Sequence, residues 1–365
     1  MSFNAAVLYE AGGPLRIESL DLTGLADTDV VVRVRATSLC HTDLEAVRGD
    51  LRTPLPMVPG HEAAGVVEWV GKGVTRVALG DHVVTSWNPH CNACFYCRRQ
   101  QNILCQPYRE RAARSFHFDG SPRLMRRGEP VHQLMYSGSF AELCVVSEAC
   151  AVRVPRDMPF NRACLIGCGV MTGIGAVTNV AQVEAGATVT VIGCGAVGLS
   201  AVQGAHLAGA ARVIAIDRQP ARLELAAALG ATHTLRADAT LAGAHAELTG
   251  ARGADYVFEA AGNAAALRAS VELVRPGGQV VWLGKLPAED EMSFRWGALM
   301  GEKRIVRSSY GGAQPARDFP ALADAYLAGR LKLDEYVTST IGLADVNAGL
   351  ARLAAGDDLR AVIEF

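Results

Sequence analysis

No stretch of this chain is expected to cross a bilayer as an uninterrupted apolar span. The opening MSFNAAVLYEAGG carries no basic residue ahead of its apolar residues, and Glu10 cuts them short, so no signal peptide is expected. A dominant charge is missing as well: a formal net charge of −2 gives no global reason to bind nucleic acid. Internal repeats and low-complexity segments are absent. Ten cysteines among 365 residues are too sparse for a secreted disulfide knot, which belongs to small cysteine-dense chains. These absences lead to the expectation of a soluble cytoplasmic protein. Its 365 residues, 50% of them hydrophobic, supply about two domains and a sizeable core.

What is present begins with four cysteines in the run CNACFYCRRQQNILC. Cys91, Cys94, Cys97 and Cys105 can close a tetrahedral thiolate shell from one lobe of backbone, the spacing of a structural zinc site. A locally basic stretch follows, with Arg98, Arg99, Arg109, Arg111, Arg114, Arg123, Arg126 and Arg127 against only Glu110 and Asp119. A solvated face is the favoured reading over an anion site.

The texture changes near Val170. Before it, VVVRVRATS, AAGVVEWVG, GDHVVTSW and FAELCVV read as strands broken by Gly and Pro, a compact and mostly antiparallel β domain. After it, β-branched runs alternate with Ala/Leu-rich stretches, as a parallel βαβ series requires. ATVTVIG reads as a strand, CGAVGLSAVQGAHLAGA as a helix, ARVIAID as a second strand, and QPARLELAAALG as a helix bounded by Pro220 and Gly230; DYVFEA and QVVWLG are later strands.

Gly193, Gly195 and Gly198 form G-x-G-x-x-G between a strand and a helix, with Ala196 and Val197 completing the turn and Asp217 ending the next strand. The glycines allow a tight turn, close approach of a pyrophosphate and close helix–strand packing, while the helix N-terminus offers free N–H groups. Asp217 is expected to hold the adenosine ribose hydroxyls and to repel the extra phosphate of NADP, which favours NAD. It could equally serve as a helix cap before Pro220. Arg218 is a complication, because a neighbouring arginine can accommodate that phosphate.

A second metal set is suggested by Cys40 in SLCHTD, His61 in PGHE and Cys168 in IGCGV, each in a setting that exposes a ligand. Two thiolates and one imidazole leave a fourth zinc position open.

With CHTD, GHEAAG, GDHVV, the four-cysteine lobe, IGCGVMTG, VIGCGAVG, ALGAT and the terminal LRAVIEF in order, the chain resembles the zinc-dependent medium-chain alcohol dehydrogenases nearly from end to end. The resemblance implies an α/β protein: a GroES-like, mostly-β catalytic domain over 1–169 with 308–365 returning to it, and a Rossmann doubly wound parallel-sheet domain over 170–307. It implies two zinc ions per chain, one catalytic and one structural, and dimers, or tetramers, built through the Rossmann sheets. It also implies roles: Cys40, His61 and Cys168 as catalytic ligands, Glu62 beside them, Thr42 as the hydroxyl that takes the alcohol's proton, and His41, Thr172, Arg222 and Arg360 around the cofactor.

The implied reaction is oxidation of an alcohol to an aldehyde or ketone with hydride transfer to NAD, the metal lowering the alcohol's pKa. The family often ends its proton relay on a histidine at the position occupied here by Glu45, a poor acceptor unless burial raises its pKa. Leu51, Trp87, Arg109 and Tyr310 are the expected substrate-pocket residues. The glutathione- and mycothiol-linked formaldehyde dehydrogenases and the aromatic or allylic alcohol dehydrogenases are the nearest branches. A neutral aromatic or allylic primary alcohol is favoured over an anionic hydroxymethyl-thiol adduct. Arg109 lies where the glutathione-linked branch carries an arginine for the thiol's carboxylate. A zinc-free quinone reductase and a non-enzymatic zinc adaptor are disfavoured, the first by seven ligand positions and the second by the intact dinucleotide turn.

Overall fold

A computed structural model describes residues 1–111 and 116–365 and divides them into two compact units, one of Met1–Cys168 with Gln314–Phe365, the other of Gly169–Ala313. The expected pairing of a mostly-β domain with a parallel-sheet domain is what these units contain. The chain returns to the first unit at Gln314, six residues later than the boundary at 308 (314 − 308).

The first unit is organised on strand Asp29–Ser38, which pairs antiparallel with Ala63–Val70, Leu143–Ser147 and Arg360–Glu364. Its valines alternate between two cores, as a period of two demands. Val31 packs with Leu8, Leu39 and Leu143, whereas Val30, Val32 and Val34 pack with Val67, Val83 and Cys144. A strand buried on both faces reads as a continuous β-branched run, and that is why VVVRV was legible. Most of the pairing in this unit is antiparallel, with the parallel pairs Val337–Ile341 on Arg360–Glu364 and Met57–Val58 on Glu129–Gln133 as exceptions.

The second unit is a six-stranded parallel sheet. Strand Thr188–Ile192, wholly buried, lies between Arg212–Asp217 and Ala254–Glu259, with His233–Arg236 beyond the former and Val274–Trp282 and then Arg304–Arg307 beyond the latter. Strand order therefore reverses beside Thr188–Ile192, the topological switch point at which open α/β sheets bind ligands. Helix Pro220–Ala228 begins on its proline, as the sequence indicates, but its N-cap is Gln219; Asp217 is not the cap.

A run of helical turns over Phe160–Ala181, 22 residues whose most apolar window has a mean hydropathy of 1.6, does reach membrane-spanning length, which corrects the expectation that no such span exists. With 72% of its most apolar window buried inside the protein, it is accounted for as a core helix.

Among its described residues, the basic stretch contributes one side chain to the interior. Arg123 is 1% exposed, and its Nε lies 2.5 Å from Asp29, itself fully buried, while its Nη2 reaches Asp119 at 2.7 Å. Asp29 also accepts the Ala26 N–H at 2.8 Å, so the pair ties the start of the central strand to the 116–123 segment. Removing one member of a buried ion pair leaves the other desolvated and unpaired. Arg123→Met should therefore cost about 3 kcal/mol, read as a fall in the denaturation midpoint, and Arg123→Met with Asp29→Asn should recover part of it. An Arg123→Met protein as stable as the wild type would contradict this.

Candidate metal centre and dinucleotide site

The four-cysteine lobe closes as its spacing requires. The donor sulfurs of Cys91, Cys94, Cys97 and Cys105 lie within 4.8 Å of one another. Backbone N–H groups turn inward: Cys94 N–H donates to Cys91 Sγ at 3.3 Å and Cys91 N–H to Cys105 Sγ at 3.4 Å. Hydrogen bonds from the backbone of Cys97 and Gln106 bring the Cys94 thiol down to about 6. Donors aimed at sulfur stabilise thiolate, the form that ligates metal.

The second cluster joins residues far apart in sequence: the donor atoms of Cys40, His61, Glu62 and Cys168 also lie within 4.8 Å of one another. Cys40 is the N-cap of helix His41–Arg48, where the helix terminus favours negative charge. A hydrogen bond with Cys168 is the main reason that the Cys40 thiol sits well below its usual range; burial opposes the shift and the Arg360 charge assists it. The same contact and burial push Cys168 up. Cys168 lies in the π-helical turn Ile166–Val170, a local widening of the helix that recurs at functional sites.

Asp43, which sequence reasoning left without a role, organises this cluster. Fully buried, it accepts the Cys40 N–H at 3.0 Å and the Gly60 N–H at 2.9 Å, and its Oδ1 lies 2.9 Å from His61 Nδ1. That contact fixes the imidazole so that Nε2 is the nitrogen left for a ligand, and Nε2 is buried without a hydrogen-bond partner. A dication supplies the missing partner, and two sulfurs with an imidazole form a zinc donor set. The signal lay in the sequence as the aspartate of CHTD, at the third position of a helix whose N-cap is the ligand.

Glu62 is fully buried, and burial pushes its carboxyl up to about 7 against the pull of Arg360. Arg360, expected around the cofactor, is 5% exposed and directs Nη2 to Glu62 Oε1 at 3.4 Å and Cys40 Sγ at 3.8 Å. Its guanidinium therefore offsets the negative charge of the cluster. Thr42 and Glu45 are half-buried on helix His41–Arg48, and His41, its first residue, is exposed.

In the second unit, the dinucleotide turn has the predicted form. A Cβ on Gly198 would lie 1.7 Å from the Gly193 carbonyl oxygen, so helix Ala196–Leu207 can approach the strand only with glycine there. A Cβ on Gly195 would meet nothing within 4 Å, which is the open cradle that a pyrophosphate requires. Ala196 is buried and Val197 half-buried behind it. Asp217 accepts the Cys194 N–H at 2.7 Å and the Gln219 N–H at 2.9 Å, which holds its carboxylate at the strand end. Arg218 is exposed, Arg222 half-buried on helix Pro220–Ala228, and Thr172 half-buried in helix Met171–Gly175.

Leu51 and Trp87 belong to the first unit, half-buried and buried respectively, and Tyr310, buried with φ +57°, to the second. The described part of the basic stretch does not gather into one patch. Arg123 is buried on Asp29, Arg126 pairs with Glu18 at 2.8 Å, and Arg99 stacks on Phe95 at 3.7 Å. Arg98, Arg109 and Arg127 are exposed. Arg114 and the side chain of Arg111 lie outside the described residues.

A parallel sheet with a glycine-rich phosphate turn, joined in one chain to a cysteine–histidine metal cluster and a four-thiol lobe, defines a zinc-dependent, nicotinamide-linked dehydrogenase. Comparison with known proteins agrees. The family models described as "Alcohol dehydrogenase GroES-like domain" and "Zinc-binding dehydrogenase" match residues 26–156 and 196–328. An alcohol dehydrogenase class-3 of Myxine glutinosa is 37% identical over 99% of this chain and 97% of its own length. An S-(hydroxymethyl)glutathione dehydrogenase of Synechocystis is 36% identical over the whole of both chains. The solved benzyl alcohol dehydrogenase of Acinetobacter calcoaceticus superposes with a TM-score of 0.94 at 30% identity, covering 100% of this chain and 99% of that one. The chain belongs to the zinc-dependent medium-chain alcohol dehydrogenase family, and its two clusters are the sites of two zinc ions.

The lobe has no position left for a substrate, whereas the Cys40 cluster contains the acid–base and ligand groups that a reaction can use. Cys97→Ser should lower the thermal midpoint by at least several degrees and release one zinc. Cys168→Ser should leave a folded, cofactor-binding protein whose turnover falls roughly a thousandfold or more. Full stability with both zinc ions retained in Cys97→Ser would contradict the division.

Proposed function

We propose that this dehydrogenase oxidises a primary alcohol formed when a thiol adds to formaldehyde, an S-(hydroxymethyl) adduct, with NAD as acceptor. The observation that carries the substrate class is the end-to-end match to relatives named class-3 alcohol dehydrogenase and S-(hydroxymethyl)glutathione dehydrogenase. These relatives favour the adduct over the neutral aromatic or allylic alcohol that the sequence first suggested. Arg109, exposed on helix Gln106–Arg111 and without an ion pair among the described residues, is available to an anionic group distant from the reacting carbon. An aromatic alcohol is the second reading, favoured by the likeness to a benzyl alcohol dehydrogenase and by the buried indole of Trp87.

In this reading Cys40, His61 and Cys168 hold the catalytic zinc, with Glu62 beside them. When bound, zinc supplies a Lewis acid that lowers the pKa of the alcohol. Asp43 keeps the His61 ring in the ligating tautomer, and Arg360 balances the charge of the thiolate and carboxylate. The Thr42 hydroxyl accepts the alcohol's proton as it gives up its own, because a doubly protonated hydroxyl is too strong an acid to persist. Glu45 lies three residues along the same helix and shares its face, and the relay from Thr42 ends on its carboxylate or in water. The turn Gly193–Gly198 and Asp217 hold the dinucleotide, with Thr172 and Arg222 as further contacts. We also propose a homodimer in a reducing cytoplasm. Exposed Trp296 and Met300, just ahead of edge strand Arg304–Arg307 in the chain, support the first, and ten cysteines without a disulfide support the second.

Coenzyme choice tests the role of Asp217. The wild type should prefer NAD, and Asp217→Gly with Arg218 retained should move the ratio of specificity constants toward NADP by about tenfold or more. Equal use of both coenzymes by the wild type would sink the assignment.

Substrate class is decided by specificity constants for formaldehyde plus glutathione against benzyl and cinnamyl alcohols, measured at low and high salt. The adduct should win, its advantage should shrink with salt, and Arg109→Ala should raise its KM by about tenfold with kcat nearly constant. A higher specificity constant for benzyl alcohol, insensitive to salt and to Arg109→Ala, would establish the second reading instead.

A further inference from the structure

Glu259 ends strand Ala254–Glu259, whose last residue is paired in register with Ile192, the residue before the glycine turn. Its side chain is fully buried, an expensive position for a carboxyl unless hydrogen bonds hold it. Its Oε1 accepts the N–H of Ala261 and of Gly262, both at 2.8 Å, while Oε2 is buried without a hydrogen-bond partner. Its main-chain oxygen accepts the N–H of Leu283 at 2.7 Å and of Gly284 at 3.0 Å. One residue thus secures the turn after its own strand and the turn after Val274–Trp282.

The glycine turn leans on the same backbone. Ala260 N–H donates to the Ile192 oxygen at 2.8 Å, and a Cβ on Gly193 would lie 2.7 Å from Ala261 N. The turn after Val274–Trp282 is equally close, since a Cβ on Gly262, where φ is +65°, would lie 3.0 Å from the Lys285 oxygen. These turns stand at the carboxyl ends of the strands, next to the reversal of strand order, where an open sheet receives its ligand.

We infer that Glu259 is a positioning residue of the dinucleotide site, its carboxyl fixing the backbone turn at 260–262 against which the Gly193–Gly198 turn keeps its shape. This rests on the reading of that turn as the cofactor site. Glu259 itself touches backbone, and its effect reaches the cofactor through the turns it holds.

NADH fluorescence titration and steady-state kinetics on the full-length zinc-loaded protein test it, with Glu259→Ala, Glu259→Gln and Gly262→Ala. Glu259→Ala should weaken NADH binding and raise KM for NAD by roughly tenfold, the loss of hydrogen bonds to a carboxylate, with kcat at saturating NAD falling far less. Glu259→Gln should restore most of the affinity, because its amide oxygen still accepts the two N–H groups. Gly262→Ala, which must displace the same turns without touching the carboxyl, should reproduce the Glu259→Ala phenotype. Wild-type protein that does not bind NADH would overturn the cofactor-site reading and the inference with it. Wild-type binding matched by unchanged affinity in Glu259→Ala and Gly262→Ala would overturn the inference alone. Should Glu259→Ala not fold, Gly262→Ala and Glu259→Gln decide it: tenfold weakening in the former with near-wild-type affinity in the latter supports it, and no weakening in Gly262→Ala overturns it.

Discussion

The carboxylate of Asp43 is the contact on which the catalytic cluster depends. It is fully buried, and it stays there because two backbone N–H groups and the His61 ring satisfy it. Each of those three bonds fixes something that a metal site needs. The bond from Cys40 starts helix His41–Arg48 on a ligand, the bond from Gly60 holds the loop that presents His61, and the contact with Nδ1 leaves Nε2 for the metal. Without Asp43 the imidazole would be free to rotate and the thiol would lose its place at a helix terminus. Cys168 enters from a different element, a π-helical turn, so the cluster joins the ends of three segments that the β core holds rigidly.

The dinucleotide unit uses the opposite strategy, since backbone rather than side-chain charge does most of the shaping. Close approaches at Gly198 and Gly193 set the turn, an open face at Gly195 leaves room for phosphates, and Asp217 and Glu259 each accept two backbone N–H groups at the ends of the two strands that flank Thr188–Ile192. Both carboxyls hold loops at strand ends, and Asp217 is the one proposed to meet the cofactor's ribose. That economy suits a parallel sheet, where binding residues sit at strand termini and the strands provide rigidity.

The legible parts of this chain were those whose chemistry needs a particular residue at a particular spacing. Four cysteines in one lobe, G-x-G-x-x-G between strand and helix, and the three separated ligand motifs could be read because thiolate shells and phosphate turns tolerate few substitutes. Alternating valines made strand Asp29–Ser38 visible. The less legible residues act through contacts that no local pattern encodes. Asp43 and Glu259 look like ordinary acidic residues until the fold buries them. Arg360 was read by resemblance as a cofactor residue, yet the return of the C-terminal strand to Asp29–Ser38 places its guanidinium on Glu62 and Cys40. Arg123 looked like one more surface charge, and its burial on Asp29 depends on a pairing across 94 residues. The apolar run Phe160–Ala181 escaped notice because its polar residues interrupt it in sequence while leaving its helical length intact.

Zinc K-edge X-ray absorption on the purified protein, with metal content measured on the same sample, tests the account most directly. It predicts two zinc ions per chain. One should have four sulfur neighbours at about 2.3 Å and the other a mixed shell with sulfur at that distance and nitrogen or oxygen at about 2.0 Å. In Cys97→Ser the all-sulfur contribution should fall while the mixed shell remains, and in Cys168→Ser the reverse should hold. A single zinc per chain in an all-sulfur shell, with no nitrogen or oxygen scattering, would mean that Cys40, His61 and Cys168 do not form a metal centre, and it would contradict the catalytic reading of this protein.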